Sequence, residues 1–274
     1  MRVAGLCGLG LLALTTSSFA ADLPILRGSV APLLGYPVYH RWDGVYLGGH
    51  GSYSAASSDF AAGTGDLVAF ILRNTTIENE AHVSEWTTLS KSSTSGPGFG
   101  GFIGYNGQWD DAVVGLELNY SSVDLLMDTS DRLGRSYQTS SNYLYNVVVD
   151  GSASVRLTDI GSLRLRGGWA AYSFMPYAFV GLAVARADVT REATVDATAI
   201  DVSGLNRPNL ALRETRTDNR DGVFAYGFAV GGGIDYAVLP NVFLRAEYEY
   251  LGFSDVADMK VNVNTVRAGA GVKF

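Results

Sequence analysis

Acid–base chemistry at neutral pH is most often built on an imidazole, and the chain has three: His40, His50 and His82. His40 precedes the first regular segment and His50 falls inside an alternating strand pattern. That leaves His82, which lies near Glu80 and Glu85 in a long polar stretch and has the chemistry to relay a proton or ligate a haem iron. A solvated loop histidine is the plainer reading of the same neighbourhood. No serine or aspartate is spaced to complete a nucleophilic triad with it, so no catalytic residue is assigned and a non-enzymatic protein is expected. The string Gly96, Gly98, Gly100, Gly101 imitates a dinucleotide loop but has no helix after it, and it reads as strand. The only cysteine, Cys7, lies in the amino-terminal apolar run, so neither a disulfide nor a thiolate metal site is expected.

A second set of groups is charged and periodic. Glu117, Arg164, Arg166, Arg245, Glu247, Glu249, Arg267 and Lys273 occupy alternate positions in otherwise apolar segments. Successive strand side chains point to opposite faces, so these eight share the minor face of their strands. Two kinds of chemistry fit them: an ion-pair plug that fills a narrow barrel, or the lining of a small aqueous path that biases ion passage. The choice depends on the number of strands that enclose them.

Composition narrows the field. With 33 Gly, 15 Tyr, 12 Phe and 17% charged residues, the 274-residue chain is that of a β protein with close backbone approaches, long enough for one barrel domain. A net charge of −7 argues against nucleic acid, which is held mainly by Lys and Arg on phosphates. Arg2, the apolar run from Val3 to Leu14 and the small pair Ser18 and Ala20 predict a Sec-type signal peptide over 1–20, cut after Ala20. No apolar run reaches the roughly 20 residues of a membrane helix. Residues 21–41, with Pro24, Pro32 and Pro37, predict an extended periplasmic lead-in, and 42–274 a barrel.

Eight strands are predicted: Gly44 to Ser54, Gly98 to Gln108, Ala112 to Ser121, Leu163 to Ala171, Pro176 to Arg186, Gly222 to Val238, Val242 to Phe253 and Thr265 to Phe274. Short turns at Trp109 to Asp111, Tyr172 to Met175 and Leu239 to Asn241 alternate with long loops. The loops Ala55 to Ser95 and Ala187 to Asp221 are expected to be large, mobile and external. Tyr143 to Ala171 holds one phase for longer than the about 9–11 residues that cross hydrocarbon, so its first half is expected to project outside, with Asp159 at the rim. The alternative splits this region at Thr158 to Ser162 and pairs the extra strand with Thr194 to Val202, giving ten strands.

The sixth strand decides which face meets lipid. It sets Phe224, Tyr226, Phe228, Val230, Ile234 and Tyr236 against alanines, glycines and Asp235. Small residues make a poor water-facing surface but a good lining for a narrow interior, which predicts a transmembrane barrel with its bulky face outward. Trp42, Trp109, Tyr120, Trp169, Tyr236 and Tyr250 are expected in the interfacial girdles, and the short turns on the periplasmic side.

The runs Trp42-Asp43-Gly44-Val45-Tyr46-Leu47-Gly48-Gly49, Leu163-Arg164-Leu165-Arg166-Gly167-Gly168-Trp169, Met175-Pro176-Tyr177 and Val266-Arg267-Ala268-Gly269 carry a resemblance. The chain resembles the small outer-membrane β-barrel surface antigens of alphaproteobacteria, among them haemin-binding proteins, from Trp42 to Phe274. The resemblance implies an eight-stranded antiparallel up-and-down transmembrane β-barrel in the outer membrane, surrounded by its lipid. It also implies a terminal Phe274 read by the barrel-assembly machinery. The expected role is structural and surface-directed, through external loops. The rivals are a small diffusion porin and a binder of haem or another ligand, with His82 as the candidate ligand.

Overall fold

The computed structural model describes residues 40–61, 63–87, 89–256 and 259–274. The expected signal peptide, with Cys7, and the lead-in as far as residue 39 lie outside the described residues. Eight strands follow one another: β1 (Gly44–Asp59), β2 (Ser92–Trp109), β3 (Ala112–Gln138), β4 (Tyr143–Trp169), β5 (Phe174–Asp201), β6 (Leu210–Leu239), β7 (Val242–Val256) and β8 (Met259–Lys273). Each pairs antiparallel with the next, and β8 returns to β1 with Lys273 opposite Tyr46, closing an up-and-down barrel.

Among the described residues the barrel closes with eight strands and the ten-strand alternative does not form. Tyr143 to Leu157 continues directly into the rest of β4 and pairs with the upper half of β5, Tyr143 opposite Asp201. The pairing anticipated with residues 194–202 does exist, but as an extension of one hairpin and not as a further crossing of the membrane. The loop expected at Ala187 to Asp221 is likewise mostly strand, and only residues 202–209 connect β5 to β6.

One register feature explains both corrections. Between β3 and β4 the pairing steps from Ser122–Asp159 to Leu125–Leu157, and between β4 and β5 from Leu157–Ala187 to Asp159–Arg186. A residue inserted at Thr158 swaps the faces of everything beyond it. Leu163, Leu165 and Trp169 therefore face outward, whereas Val147, Val149, Val155 and Leu157 are buried inside. The single continuous phase read over Tyr143 to Ala171 is thus incorrect. β6 changes phase in the same way at Asp221 and Gly222, where φ of Gly222 is +65° and its N–H donates to Asp188 Oδ1 at 2.7 Å. Asp159 stays outside at this level and accepts from Tyr120 Oη at 2.5 Å.

The phase change lets β3 to β6 run on as a four-stranded head beyond the barrel, whose apolar face continues the barrel interior. The segment expected as a mobile loop folds onto that face through α1 (Gly65–Ile71), α2 (Thr76–Ala81) and a 3-10 turn (Val83–Glu85). Leu67, Val68, Leu72, Ile77 and Val83 pack there with Val147, Val149 and Val195.

Beneath the head the interior is layered. An apolar layer of Phe60, Leu125, Leu157, Leu251, Phe253 and their neighbours lies at the head end. An aromatic layer of Trp42, Tyr46, Phe102, Tyr177, Phe179 and Phe243 fills the opposite end. Trp42 is only 2% exposed, so it is not part of a girdle; the chain turns inward before β1 and carries it into the barrel mouth. The small inward residues make room for these rings. A Cβ on Gly104 would sit 2.4 Å from Tyr46 Oη, and one on Gly271 2.4 Å from a carbon of the Phe243 ring.

Outside, Leu47, Ile103, Leu116, Leu165, Val180, Val230 and Leu244 form an exposed apolar belt. Trp109, Trp169 and Tyr236 border it at the turn end and Tyr53, Tyr120 and Tyr226 at the head end.

Candidate functional site

Strand alternation aims seven of the eight charged candidates into the barrel between the two apolar layers: Glu117 from β3, Arg164 and Arg166 from β4, Arg245, Glu247 and Glu249 from β7, and Arg267 from β8. Asp235 of β6 joins them. All eight are buried. The four guanidinium groups and four carboxylates balance in charge, which is the condition for keeping so many ions out of water.

The pairs form one connected sheet of contacts across the barrel. Glu117 Oε2 accepts from Arg245 Nη1 at 2.6 Å, from Arg166 Nη1 at 3.1 Å and from Tyr46 Oη at 2.9 Å. Arg245 and Arg166 both reach Asp235, Arg245 through Nε at 2.8 Å and Nη2 at 3.0 Å, Arg166 through Nη2 at 2.8 Å. On the other side Glu247 Oε1 accepts from Arg164 at 2.8 Å and from Arg267 at 2.9 Å, and Tyr177 donates to Oε2 at 2.9 Å. Glu249 pairs with Arg267 and lies 2.5 Å from Arg164 Nη2. Rings of the aromatic layer cover the guanidinium faces: Phe102 lies 4.0 Å from Arg245 and Tyr177 3.8 Å from Arg166.

Lys273 does not belong to this set. It shares the phase of Arg267 but sits at the turn end of β8, where it is half-exposed and donates to the carbonyl of Arg41. At the mouth water solvates the ammonium, and the aromatic layer separates it from the carboxylates. Asp235, Tyr46 and Tyr177 are members that the charge pattern alone did not select. Asp235 carried a signal, as the single charged residue among inward glycines and alanines of its strand.

The histidines are scattered. His50 is buried in the barrel, stacked on Phe102 at 6.3 Å with Nε2 3.3 Å from Asn119 Nδ2. His82 is exposed in a left-handed turn, φ 48°, between α2 and the 3-10 turn. Glu80 turns away from it to accept from the Ser140 N–H at 2.9 Å and from Ser140 Oγ at 2.5 Å. No cluster of His, Cys, Asp or Glu suited to a metal ion occurs among the described residues.

The head contributes a second polar centre at its tip. Asp201, the last residue of β5, accepts from the N–H groups of Ser203 at 3.0 Å and Arg207 at 2.9 Å and from Arg207 Nη2 at 2.7 Å. Arg207 Nη2 also donates to the carbonyl of Ser141 at 2.8 Å, joining the two hairpin tips. The Arg207 guanidinium, followed by the Ser203 hydroxyl, holds the Asp201 carboxyl well below the usual carboxylate range. A carboxyl with a lowered folded pKa stabilises the fold fully above its unfolded value of about 4, and that contribution disappears as pH falls through the folded value. The protection of amides in residues 202–209, the exchange rate relative to the intrinsic rate at the same pH, is therefore expected to hold from neutral pH down to the ordinary carboxylate range and to fall below it. Equal protection of this loop at strongly acid pH would contradict the clasp.

This architecture agrees with what the chain is similar to. Residues 11–274 match the family described as outer membrane protein beta-barrel domain. The chain belongs to that family. The 31 kDa outer-membrane immunogenic protein of Brucella melitensis is 27% identical over 271 residues, covering 94% of each chain. The 22 kDa outer membrane protein of Rhizobium leguminosarum is 26% identical over 85% of this chain and 78% of its own. Among solved structures, Ail, the attachment invasion locus protein of Yersinia pestis, matches at 14% identity and a TM-score of 0.33 over 85% of this chain and 99% of that one. OprG from Pseudomonas aeruginosa matches at 12% identity and a TM-score of 0.36, covering 87% and 98%. Membership places the barrel in the bacterial outer membrane, with the apolar belt in lipid. As in other outer-membrane barrels, the short turns are then periplasmic and the head extracellular.

Proposed function

We propose that the protein is a closed, non-enzymatic outer-membrane barrel whose task is to hold a folded head at the cell surface, where the head contacts ligands or host molecules. The observation that carries this reading is the filled interior. Apolar side chains lie above and below a charge-balanced layer of paired ions, and the packed helical segment covers the outer end. A diffusion path needs polar groups facing water along its whole length, and here the polar groups face one another.

Reconstitution into planar bilayers tests it. The intact protein is expected to show no stable single-channel steps, and Arg245→Ala none with the ion selectivity of a lined pore. Reproducible steps from the intact protein whose selectivity changes in Arg245→Ala would replace this reading with the porin.

Phe274 fits a role in assembly. Its side chain is 73% exposed, while its N–H is tied to the carbonyl of Val45 across the closing seam, so the ring is presented without being needed for packing. Engagement by the barrel-assembly machinery is part of the proposal.

A further inference from the structure

The barrel wall is uneven. β3 to β6 are 27–30 residues long, whereas β7, β8, β1 and β2 have 15–18, so the head is an open sheet with two edges. β2 leaves β3 at Gly98 opposite Val123, and β7 leaves β6 at Phe253 opposite Gly227. The β3 edge is screened: Ser90 Oγ lies 3.0 Å from Thr129 Oγ1, and the Trp86 ring lies 5.2 Å from the Arg135 guanidinium. The β6 edge from Leu210 to Tyr226 has no strand partner among the described residues, so alternate backbone N–H and C=O groups there point into solvent. β7 ends at Val256, which in the register of Phe253 comes level with Phe224 and so stays below Asp221.

Edge strands are ordinarily blunted by charge, and Arg213-Glu214-Thr215-Arg216-Thr217-Asp218-Asn219-Arg220-Asp221 carries six charges in nine residues. Their order does more than blunt. Laid antiparallel against a second copy with Thr217 at the centre, Arg213 meets Asp221, Glu214 meets Arg220 and Arg216 meets Asp218, each twice, and Thr215 meets Asn219. Every charge then faces its opposite. A centre one residue earlier sets Glu214 against Asp218, one residue later sets Arg216 against Arg220, and centres at Thr215 or Asn219 leave Arg213 or Asp221 facing Thr217. Like charges directly opposite are destabilising, so the pattern selects a single register. Within the chain, Arg213 lies 3.9 Å from Asp196, and Asp218 is shared by Arg191 and Arg220. Glu214 and Arg216 have no ion-pair partner among the described residues, and the Arg216 guanidinium is held 3.6 Å from the Phe70 ring.

We infer that the β6 edge binds a second copy of this chain in trans, joining two heads from facing membranes into one continuous sheet. The orientation follows from symmetry. Antiparallel neighbours in a sheet are related by a twofold axis perpendicular to it, and this sheet stands along the barrel axis, so the rotation reverses that axis and puts the second barrel in an opposing membrane. Thr217 lies nine residues beyond Tyr226 of the outer border. At about 3.4 Å per residue and a tilt of about 35–45°, two such lengths hold the membrane surfaces about 45–50 Å apart. The paired segment ends at Asp221, before the level at which β7 of either copy occupies the edge. The inference rests on the reading of the barrel as the holder of a surface head; conductance tests that reading by itself, and crosslinking tests the edge.

Protein expressed from Ala21 onward lacks Cys7 and so carries no thiol, which lets single introduced cysteines report the contact. In phosphatidylcholine vesicles under mild oxidation, Thr217→Cys is expected to form a disulfide-linked dimer, because residue 217 faces its own copy. Thr215→Cys alone is not, since its two copies are offset by about 14 Å. Vesicles bearing Thr215→Cys mixed with separate vesicles bearing Asn219→Cys should give dimers that neither population gives alone. In the Thr217→Cys background, Glu214→Arg or Arg220→Glu sets like charges opposite each other twice and should lower the dimer yield about tenfold, and mixing these two variants should restore it. Each variant must keep the parent's hydrogen exchange over residues 63–87, so that lost linking is not the loss of a folded head. Absence of the Thr217→Cys dimer, equal linking of Thr215→Cys on its own, or no recovery in the mixed charge variants would overturn the proposal. Linking of Thr215→Cys to Asn219→Cys only when both share one vesicle would overturn the trans arrangement.

Discussion

Glu117→Ala is expected to destabilise the folded barrel by about 3–5 kcal/mol, the usual cost of removing one partner from a buried ionic network. Its Oε2 is the meeting point of Arg166, Arg245 and the Tyr46 hydroxyl, all within 3.1 Å. After truncation Arg166 and Arg245 share a single carboxylate, Asp235, with Tyr46 Oη still accepting from Arg166 Nη1 at 2.8 Å, and one positive charge in a layer bounded by aromatic and apolar side chains is left uncompensated. The measurement is the urea midpoint for loss of the heat-modifiable gel form in a fixed detergent. The double variant Glu117→Met with Arg245→Met removes one charge of each sign and should recover most of the loss, because apolar residues of similar volume often replace buried ion pairs at little cost. A single variant as stable as the parent would show that the charged layer is hydrated and not a sealed plug, and the case against conduction would weaken with it.

Arg191→Met should have a large effect of a different kind, confined to the head. Arg191 is 2% exposed and joins three pieces of chain: Nη1 donates to Asp66 Oδ1 at 3.2 Å and to the Gly63 carbonyl at 3.3 Å, and Nη2 to Asp218 Oδ2 at 2.5 Å. Asp66 lies in the first turn of α1 and Asp218 on β6, so this one side chain ties the helical segment to the sheet beneath it. Methionine keeps much of the bulk but breaks both ties of the helical segment, Asp66 losing its donor while Asp218 retains Arg220 Nη2 at 3.1 Å. The expected cost is about 1–3 kcal/mol of local stability, read as faster hydrogen exchange in residues 63–87. The boiled-versus-unboiled gel shift should not change, because the barrel layers do not include Arg191. Loss of the barrel form in this variant would mean that head and barrel unfold together, and would contradict the layered description.

Much of this arrangement is legible in the residues, for a local reason. The outward face of β6, from Phe224 to Tyr236, and of β7, from Leu244 to Tyr250, follows from alternation within each segment, and the facing carboxylates and guanidinium groups follow from the same period. The errors fall where the period breaks. Thr158 adds one residue to β4 and Gly222 marks a similar step in β6, so residues that share a sequence phase end up on opposite faces. A bulge is specified by the partner strand's register, and no composition signal at Thr158 announces it. Trp42 illustrates a second limit, since tryptophan suits a lipid interface and a barrel mouth equally well, and only the path of the chain before β1 selects the mouth. Lys273 illustrates a third: phase states the face, but not the depth at which water begins.

The sequence by itself determined that this chain crosses a membrane as strands, which face meets hydrocarbon and which charges turn inward, because each is a period-two property readable within about ten residues. The tertiary structure alone decided that there are eight strands and not ten, that four of them continue into a head packed by two short helices, and that Asp235 and two tyrosine hydroxyls complete the charged layer. These are matters of register and of distance between residues far apart in the chain, such as Arg166 and Asp235, which touch only after β4 and β6 have been placed across the same interior.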